Sequence, residues 1–194
     1  MTDLYILKGK NAPWGDYGNI LLNGMTAHSS KEGGFLCLER TGPFIPPISF
    51  SGISDIVVTN EFRVNIEKQQ FNGFEFREVI KKKIVKLNWE SWDQSADEPG
   101  EYPAGGEPEN YILKRKHSQE TSDELGSLWE VALPDVEGLQ KEGGAVNATK
   151  YQGQDICRAS RWGHIYISDR VRVWLENNYG EWVSARRAQI TENA

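Results

Sequence analysis

Asp55-Ile-Val-Val-Thr-Asn-Glu-Phe-Arg-Val-Asn-Ile-Glu67, running on to Phe76-Arg77, returns in pattern as His164-Ile-Tyr-Ile-Ser-Asp-Arg-Val-Arg-Val-Trp-Leu-Glu176, running on to Ala185-Arg186. Without gaps, Ile56 matches Ile165, Val58 matches Ile167 and Thr59 matches Ser168. Arg63 then matches Arg172, Ile66 matches Leu175, Glu67 matches Glu176 and Arg77 matches Arg186. Each copy opens on a β-branched or aromatic run and then a hydroxyl residue, the pattern of a strand passing into a helix N-cap. Thr59 and Ser168 are the expected caps, and Glu61 and Asp169 suit the positive end of the helix dipole. Phe62 and Ile66, and then Val171, Trp174 and Leu175, recur at helical spacing and place an apolar stripe on one face. Phe71-Asn72-Gly73 and Tyr179-Gly180 end the helices. Phe74-Glu-Phe-Arg77 and Trp182-Val-Ser-Ala185 return as strands.

A strand–helix–strand unit used twice has two explanations, independent reuse of a common piece or duplication. Lys31-Glu32-Gly33-Gly34 and Lys141-Glu142-Gly143-Gly144 precede the two copies at nearly the same distance, which favours duplication. Elsewhere, Leu4-Tyr-Ile-Leu7, Phe35-Leu-Cys-Leu38 and Asp155-Ile-Cys-Arg-Ala159 read as strands. Asn11 to Gly18 reads as a loop, as do the proline-rich Thr41 to Pro47 and Pro134 to Gly144. Ser122 to Val131 carries a cap, early acids and spaced Leu125, Leu128 and Trp129, which predicts a short helix across Gly126. The expected fold is a single α+β domain over 1–194, with mixed or antiparallel sheets and a few short helices. Two sub-lobes, 1–89 and 111–194, would be joined by a loop at 90–110.

In Val79 to Trp89, Val85, Leu87 and Trp89 share one strand face, and Lys82 and Lys86 share the other. The lysines at 81, 82, 83 and 86 are read as protection of an edge strand in preference to a phosphate site. From Glu90 to Glu109 the chain holds Asp93, Asp97, Glu98, Glu101 and Glu107, three prolines, Gly105-Gly106 and no Lys or Arg. Such a stretch predicts a long irregular acidic loop, and long loops concentrate function. Trp92 stands at its start as the candidate aromatic anchor.

The net charge of −6 and pI near 5.2 disfavour nucleic acid and suit a basic partner. Two cysteines, no basic–apolar leader pattern and no apolar run of spanning length lead to the expectation of a cytoplasmic protein without membrane association. His28, His117, His164, Cys37 and Cys157 are scattered, so no metal is expected. No phosphate-cradling glycine loop or nucleophile elbow occurs, so neither a cofactor nor catalysis is expected. Cys157 with His164 is the one nucleophile–base pair to consider. Carboxylate pairs such as Glu90 with Asp93, or Glu107 with Glu109, read as surface. Seven tryptophans leave open a sugar- or peptide-binding module.

Val57-Val-Thr-Asn-Glu-Phe62 with Phe74-Glu-Phe-Arg-Glu-Val79, and Asp155-Ile-Cys-Arg158 followed by Ile165-Tyr-Ile-Ser-Asp-Arg-Val171, resemble bacterial immunity proteins of polymorphic toxin systems. The likeness is to the group with a C-terminal D-[IL]-F-R … I-x-V-S-[DE]-R … L pattern, related to proteins with a doubled CxxCG motif. It covers the C-terminal third and, more loosely, residues 43 to 92. Cys157 stands where that pattern prefers Phe, and both CxxCG pairs are missing, so no zinc site is inherited. The resemblance implies a non-catalytic α+β protein that neutralises a cognate toxin by covering its active surface. Trp92, Asp93, Asp97, Glu98, Glu101 and Glu107 are the expected partner-binding residues, meeting a basic toxin face.

Overall fold

The computed structural model describes residues 3–160 and 163–191, without the side chains of residues 27–32 and 142; His28 and Trp162 therefore lie outside the described side chains. In chain order the elements are β1 (Leu4–Gly9), α1 (Asp16–Asn23), β2 (Met25–Glu32), β3 (Phe35–Gly42), β4 (Ile48–Ser49), β5 (Val57–Thr59), α2 (Asn60–Glu67) and β6 (Glu75–Glu78). They continue with β7 (Ile80–Lys86), α3 (Asn110–Leu113), α4 (Gln119–Glu124), β8 (Leu128–Ala132), β9 (Val146–Asn147), β10 (Ile156–Arg158), β11 (Ile165–Ser168), α5 (Asp169–Tyr179), β12 (Val183–Arg187) and β13 (Ile190–Thr191). This is the α+β architecture that the alternating and helical periods predict.

Both repeated stretches fold as strand, helix, strand, and in both the two strands are held apart by a third. One sheet has the order β4-β5-β8-β6 and another the order β10-β11-β1-β12. β8 is antiparallel to both β5 and β6, and β1 is antiparallel to both β11 and β12. The strands of each unit are therefore parallel to each other, and a helix makes the crossover that parallel strands require. The registers also coincide. Trp129 on β8 faces Val58 and Glu78, while Tyr5 on β1 faces Ile167 and Arg187, the matching positions of the second copy.

The correspondence runs beyond the aligned residues into the edge strands. Ile48 faces Val58 and Ile156 faces Ile167. Thr59 N–H donates to the Pro47 carbonyl at 3.0 Å, and Ser168 N–H donates to the Asp155 carbonyl at 2.8 Å. Independent reuse of a strand–helix–strand piece does not require the same inserted strand, the same edge strand and the same register. Duplication accounts for all three.

The stripes on α2 and α5 close on one another. Phe62, Ile66, Val171 and Leu175 share a core with Val58, Val131, Leu7, Ile165, Ile167 and Val183. The Phe62 ring lies 5.6 Å from that of Trp174 and 4.6 Å from that of Tyr179. Burying a side chain such as Phe62 contributes about 2–3 kcal/mol. A polar clasp adds to this seam: Asn72 N–H donates to Asp155 Oδ2 at 3.0 Å, Asp155 N–H to Asn72 Oδ1 at 3.0 Å, and Ile156 N–H to the Asn72 carbonyl at 3.1 Å. Gly73, at φ 93°, is needed beside it, since a Cβ there would stand 2.3 Å from the Ile156 carbonyl oxygen.

Three local expectations are corrected. Thr59 caps α2 by accepting from Phe62 N–H, but Ser168 makes no side-chain cap on α5. Its hydroxyl instead donates to Asp155 Oδ1 at 2.8 Å. The helix expected over Ser122 to Val131 starts earlier, on the Ser118 cap, and ends at Glu124. Gly126 at φ 62° turns the chain, and Leu128 to Ala132 becomes β8, the strand between β5 and β6. The Asn11 to Gly18 loop runs into α1, which takes in residues from Asp16 onward.

The remaining three-stranded sheet has the order β2-β3-β7. Val85, Leu87 and Trp89 are buried, as their alternation predicts. The free side of β7 is covered: Ile84 N–H donates to His117 Nδ1 at 3.0 Å, and Ser118 N–H to the Ile84 carbonyl at 2.7 Å. Lys81 and Lys83 on this edge strand fasten the cover. Lys81 Nζ donates to the Ser122 and Gly126 carbonyls and Lys83 Nζ to the Leu113 carbonyl at 3.0 Å, cations placed at helix C-terminal ends.

Candidate functional site

Leu87 and Trp89 carry the apolar alternation of β7 into the interior, where they join Leu21, Leu22 and Tyr111 in a second cluster. Trp14, Tyr17, Phe44 and Trp92 pack around it. On this aromatic base lies the acidic segment, and from Trp92 to Glu109 it forms neither helix nor strand. Its backbone is nevertheless tied at several points by side chains from outside it. Trp14 Nε1 donates to the Ala96 carbonyl at 2.9 Å and the Tyr17 hydroxyl to the Gly106 carbonyl at 2.7 Å. The Tyr111 hydroxyl donates to the Glu101 carbonyl, and Arg115 Nη2 meets Glu101 Oε1 at 2.5 Å. Pro99 and Pro103 turn inward and are buried.

The six residues expected from sequence divide into two groups. Asp93, Asp97, Glu98, Glu101 and Glu107 are all exposed. Asp93 Oδ1 accepts from Ser95 N–H at 3.0 Å and from the Ser95 hydroxyl at 2.6 Å, and these bonds hold its carboxyl below the usual range. Trp92, by contrast, belongs to the base. It is half-buried, its ring 6.0 Å from that of Trp14 and 6.2 Å from that of Tyr111. Gly100 crosses its face so closely that a Cβ there would stand 3.0 Å from Trp92 Cγ.

The large side chain that the loop presents to solvent is Tyr102, 48% exposed. Its ring stands edge-on to Tyr17 at 5.3 Å. Desolvation and the neighbouring Glu98 carboxylate push its phenol pKa up. Leu113, at the end of α3, is 46% exposed. Sequence reasoning passed over Tyr102 although it sits between Glu101 and Pro103; an aromatic next to a proline inside an acidic run was the available signal. An amphipathic ring amid carboxylates can meet an apolar surface bordered by cations.

Two other places bear chemistry. Cys157 is fully buried, and burial pushes its thiol up to about 12, so almost none is thiolate at neutral pH. His164 lies beside Tyr166, the ring centres 6.2 Å apart; burial lowers its pKa, with Lys8 and Arg186 adding to the effect. A cleft of about 380 Å³ opens beside β6, lined by Phe74, Arg77, Glu130 and Arg158 among others. The Arg158 guanidinium is occupied there by Asp135 at 2.6 Å, the Leu133 carbonyl at 3.2 Å and the Ser54 hydroxyl at 3.3 Å.

Among the described residues no cluster of His, Cys, Asp or Glu could hold a metal ion, and no helix is long and apolar enough to cross a membrane. Comparison of the chain with protein-family models, with curated proteins and with solved structures finds no match.

Proposed function

We propose that this chain is a non-catalytic binding protein of the immunity type, and that it neutralises a cognate protein toxin through its acidic loop. The observation that carries the reading is the combination of irregular backbone with external restraint. Residues 92–109 lack helix and strand but are tied down by Trp14, Tyr17, Tyr111 and Arg115. A loop fixed in this way loses little conformational entropy on docking. Its carboxylates steer a basic partner, and Tyr102 supplies apolar contact at the centre. The likeness of the repeated segments to immunity proteins points the same way. Against the alternative of a sugar- or peptide-binding module with exposed tryptophans stands the placement of the six described tryptophans, which are all at least partly buried.

The test has two stages. Tagged protein is used to capture partners from the source lysate with elution in rising salt, and association with the captured protein is then timed. Asp93→Asn, Asp97→Asn, Glu98→Gln and Glu101→Gln, combined, keep side-chain size and remove charge. Slower association with a flatter salt dependence is expected. An unchanged on-rate removes the loop from the recognition surface.

A further inference from the structure

In an antiparallel ladder only every second residue of a strand bonds to a given neighbour, and the residues between turn their N–H and C=O groups the other way. β6 ends its sheet and pairs with β8 alone. Val79 N–H donates to the Leu128 carbonyl at 3.0 Å, and the same register sets Arg77 opposite Glu130 and Glu75 opposite Ala132. Val79, Arg77 and Glu75 are therefore the residues bonded to β8, and the backbone groups of Phe76 and Glu78 point away from it. No backbone group of another described residue takes them up.

The side chains of this edge alternate as a strand requires. Glu75 and Arg77 share the face that opens on the 380 Å³ cleft, their side chains 77% and 46% exposed, and Phe76 lies half-buried against the core on the other. Charges on an edge strand ordinarily keep other strands away. Here they have opposite sign two residues apart, so they do not repel a reversed copy of themselves. A two-fold axis through the edge must pass a residue whose backbone points outward, which leaves Phe76 or Glu78. At Glu78 a carboxylate would face itself. At Phe76 the ring faces its own copy, and Glu75 and Arg77 each face the opposite charge. The matching edge of the second unit, Val183-Ser-Ala-Arg-Arg187, holds no acid and offers no such complement.

We propose that the β6 edge is a self-association surface, on which two copies of this chain pair β6 with β6, antiparallel, about a two-fold axis at Phe76. The two four-stranded sheets become one continuous sheet. Phe76 N–H and C=O are exchanged across the axis. Glu75 and Arg77 fall in the pairs without hydrogen bonds, where facing side chains come closest. Within one chain Arg77 already lies 3.5 Å from Glu75, so the axis closes the two pairs into a ring of four alternating charges. The contact is isologous and stops at the dimer. It is separate from the acidic loop and independent of the function proposed for it.

Sedimentation equilibrium of the full chain tests this, and because the edge is short the dimer should form reversibly within about 10–1000 µM. Glu75→Arg and Arg77→Glu, each alone, set like charges opposite one another twice and should weaken self-association at least about tenfold. Mixed in equal amounts, the two variants should form a heterodimer, and the double variant, with both signs exchanged, should regain the homodimer. On the unaltered protein, amide exchange of Phe76 and Glu78 should slow as concentration rises. A chain that stays monomeric over the whole range overturns the proposal. So does a dimer that either single variant leaves intact, or one in which the Phe76 and Glu78 amides exchange at a rate independent of concentration.

Discussion

The guanidinium carbon of Arg63 lies 4.0 Å from the centre of the Trp129 ring. Its counterpart Arg172 lies 4.7 Å from the centre of Tyr5, the residue whose register on the inserted strand matches that of Trp129. Each arginine also pairs with the glutamate one turn on, Arg63 with Glu67 at 3.0 Å and Arg172 with Glu176 at 2.5 Å. A cation held over an aromatic face contributes about 0.5–1 kcal/mol where solvent has access, and an i,i+4 ion pair adds about 0.3–0.5. Arg63→Ala should therefore lower unfolding stability by about 1 kcal/mol in a urea titration, with Arg63→Lys in between. Arg172→Ala should act in the same direction. No change in either midpoint would make these contacts incidental to the unit.

Ser168 and Asp155 give a second, larger effect. Asp155 is buried and accepts from the Ser168 hydroxyl at 2.8 Å, Asn72 N–H at 3.0 Å and Arg170 Nε at 2.9 Å. Removing the carboxylate strands the buried Ser168 hydroxyl of the second unit and breaks the tie to Asn72 of the first. Asp155→Ala should cost about 3 kcal/mol, whereas Thr59→Ala, which removes one helix cap, should cost about 1. Equal losses in the two variants would contradict the division of roles between Thr59 and Ser168.

The two units, their apolar stripes and the Thr59 cap were legible in the sequence because local periodicity records them. The insertion of β1 and β8 was not. Strand pairing at long sequence separation leaves no local period, and only the placement of Tyr5 and Trp129 against matched residues reveals it. Leu125, Leu128 and Trp129 fit a helical spacing well enough to hide the start of β8, and the positive φ of Gly126 decided against the helix. Composition marked 90–110 as acidic and irregular. It carried no sign that Trp14 and Tyr17, far away in the chain, would fasten the loop and draw Trp92 inward.

That placement separates Trp92 from Tyr102. Trp92→Ala removes half of an interlocked aromatic contact and opens space beneath Gly100, so it should lower stability by about 2 kcal/mol. Tyr102→Ala removes a ring already close to half exposed and should leave the urea midpoint nearly unchanged. Under the proposed function it should instead speed dissociation of the captured partner. A Trp92→Ala variant that keeps its stability but loses the partner would return that residue to the recognition surface.

Alkali should unfold this protein through its buried phenols and thiol. Burial pushes Tyr111, Tyr151 and Tyr166 from 10.0 up to about 12, and Cys157 from 9.0 up to about 12. Each phenol also donates its proton to a carbonyl: Tyr111 to Glu101, Tyr151 to Gln154 at 2.7 Å and Tyr166 to Gly144 at 3.1 Å. Ionisation would abolish these bonds. The folded state therefore holds protons that the unfolded chain has released, and stability falls with rising pH wherever that difference exists. The contribution is complete below about pH 8, where both states are protonated, and is lost progressively as pH climbs through the folded values near 12. Urea midpoints should accordingly decline steadily above about pH 8, and tyrosinate absorbance should appear in step with unfolding. Free titration of every tyrosine near its ordinary pKa in protein that stays folded would show that these phenols are not enclosed.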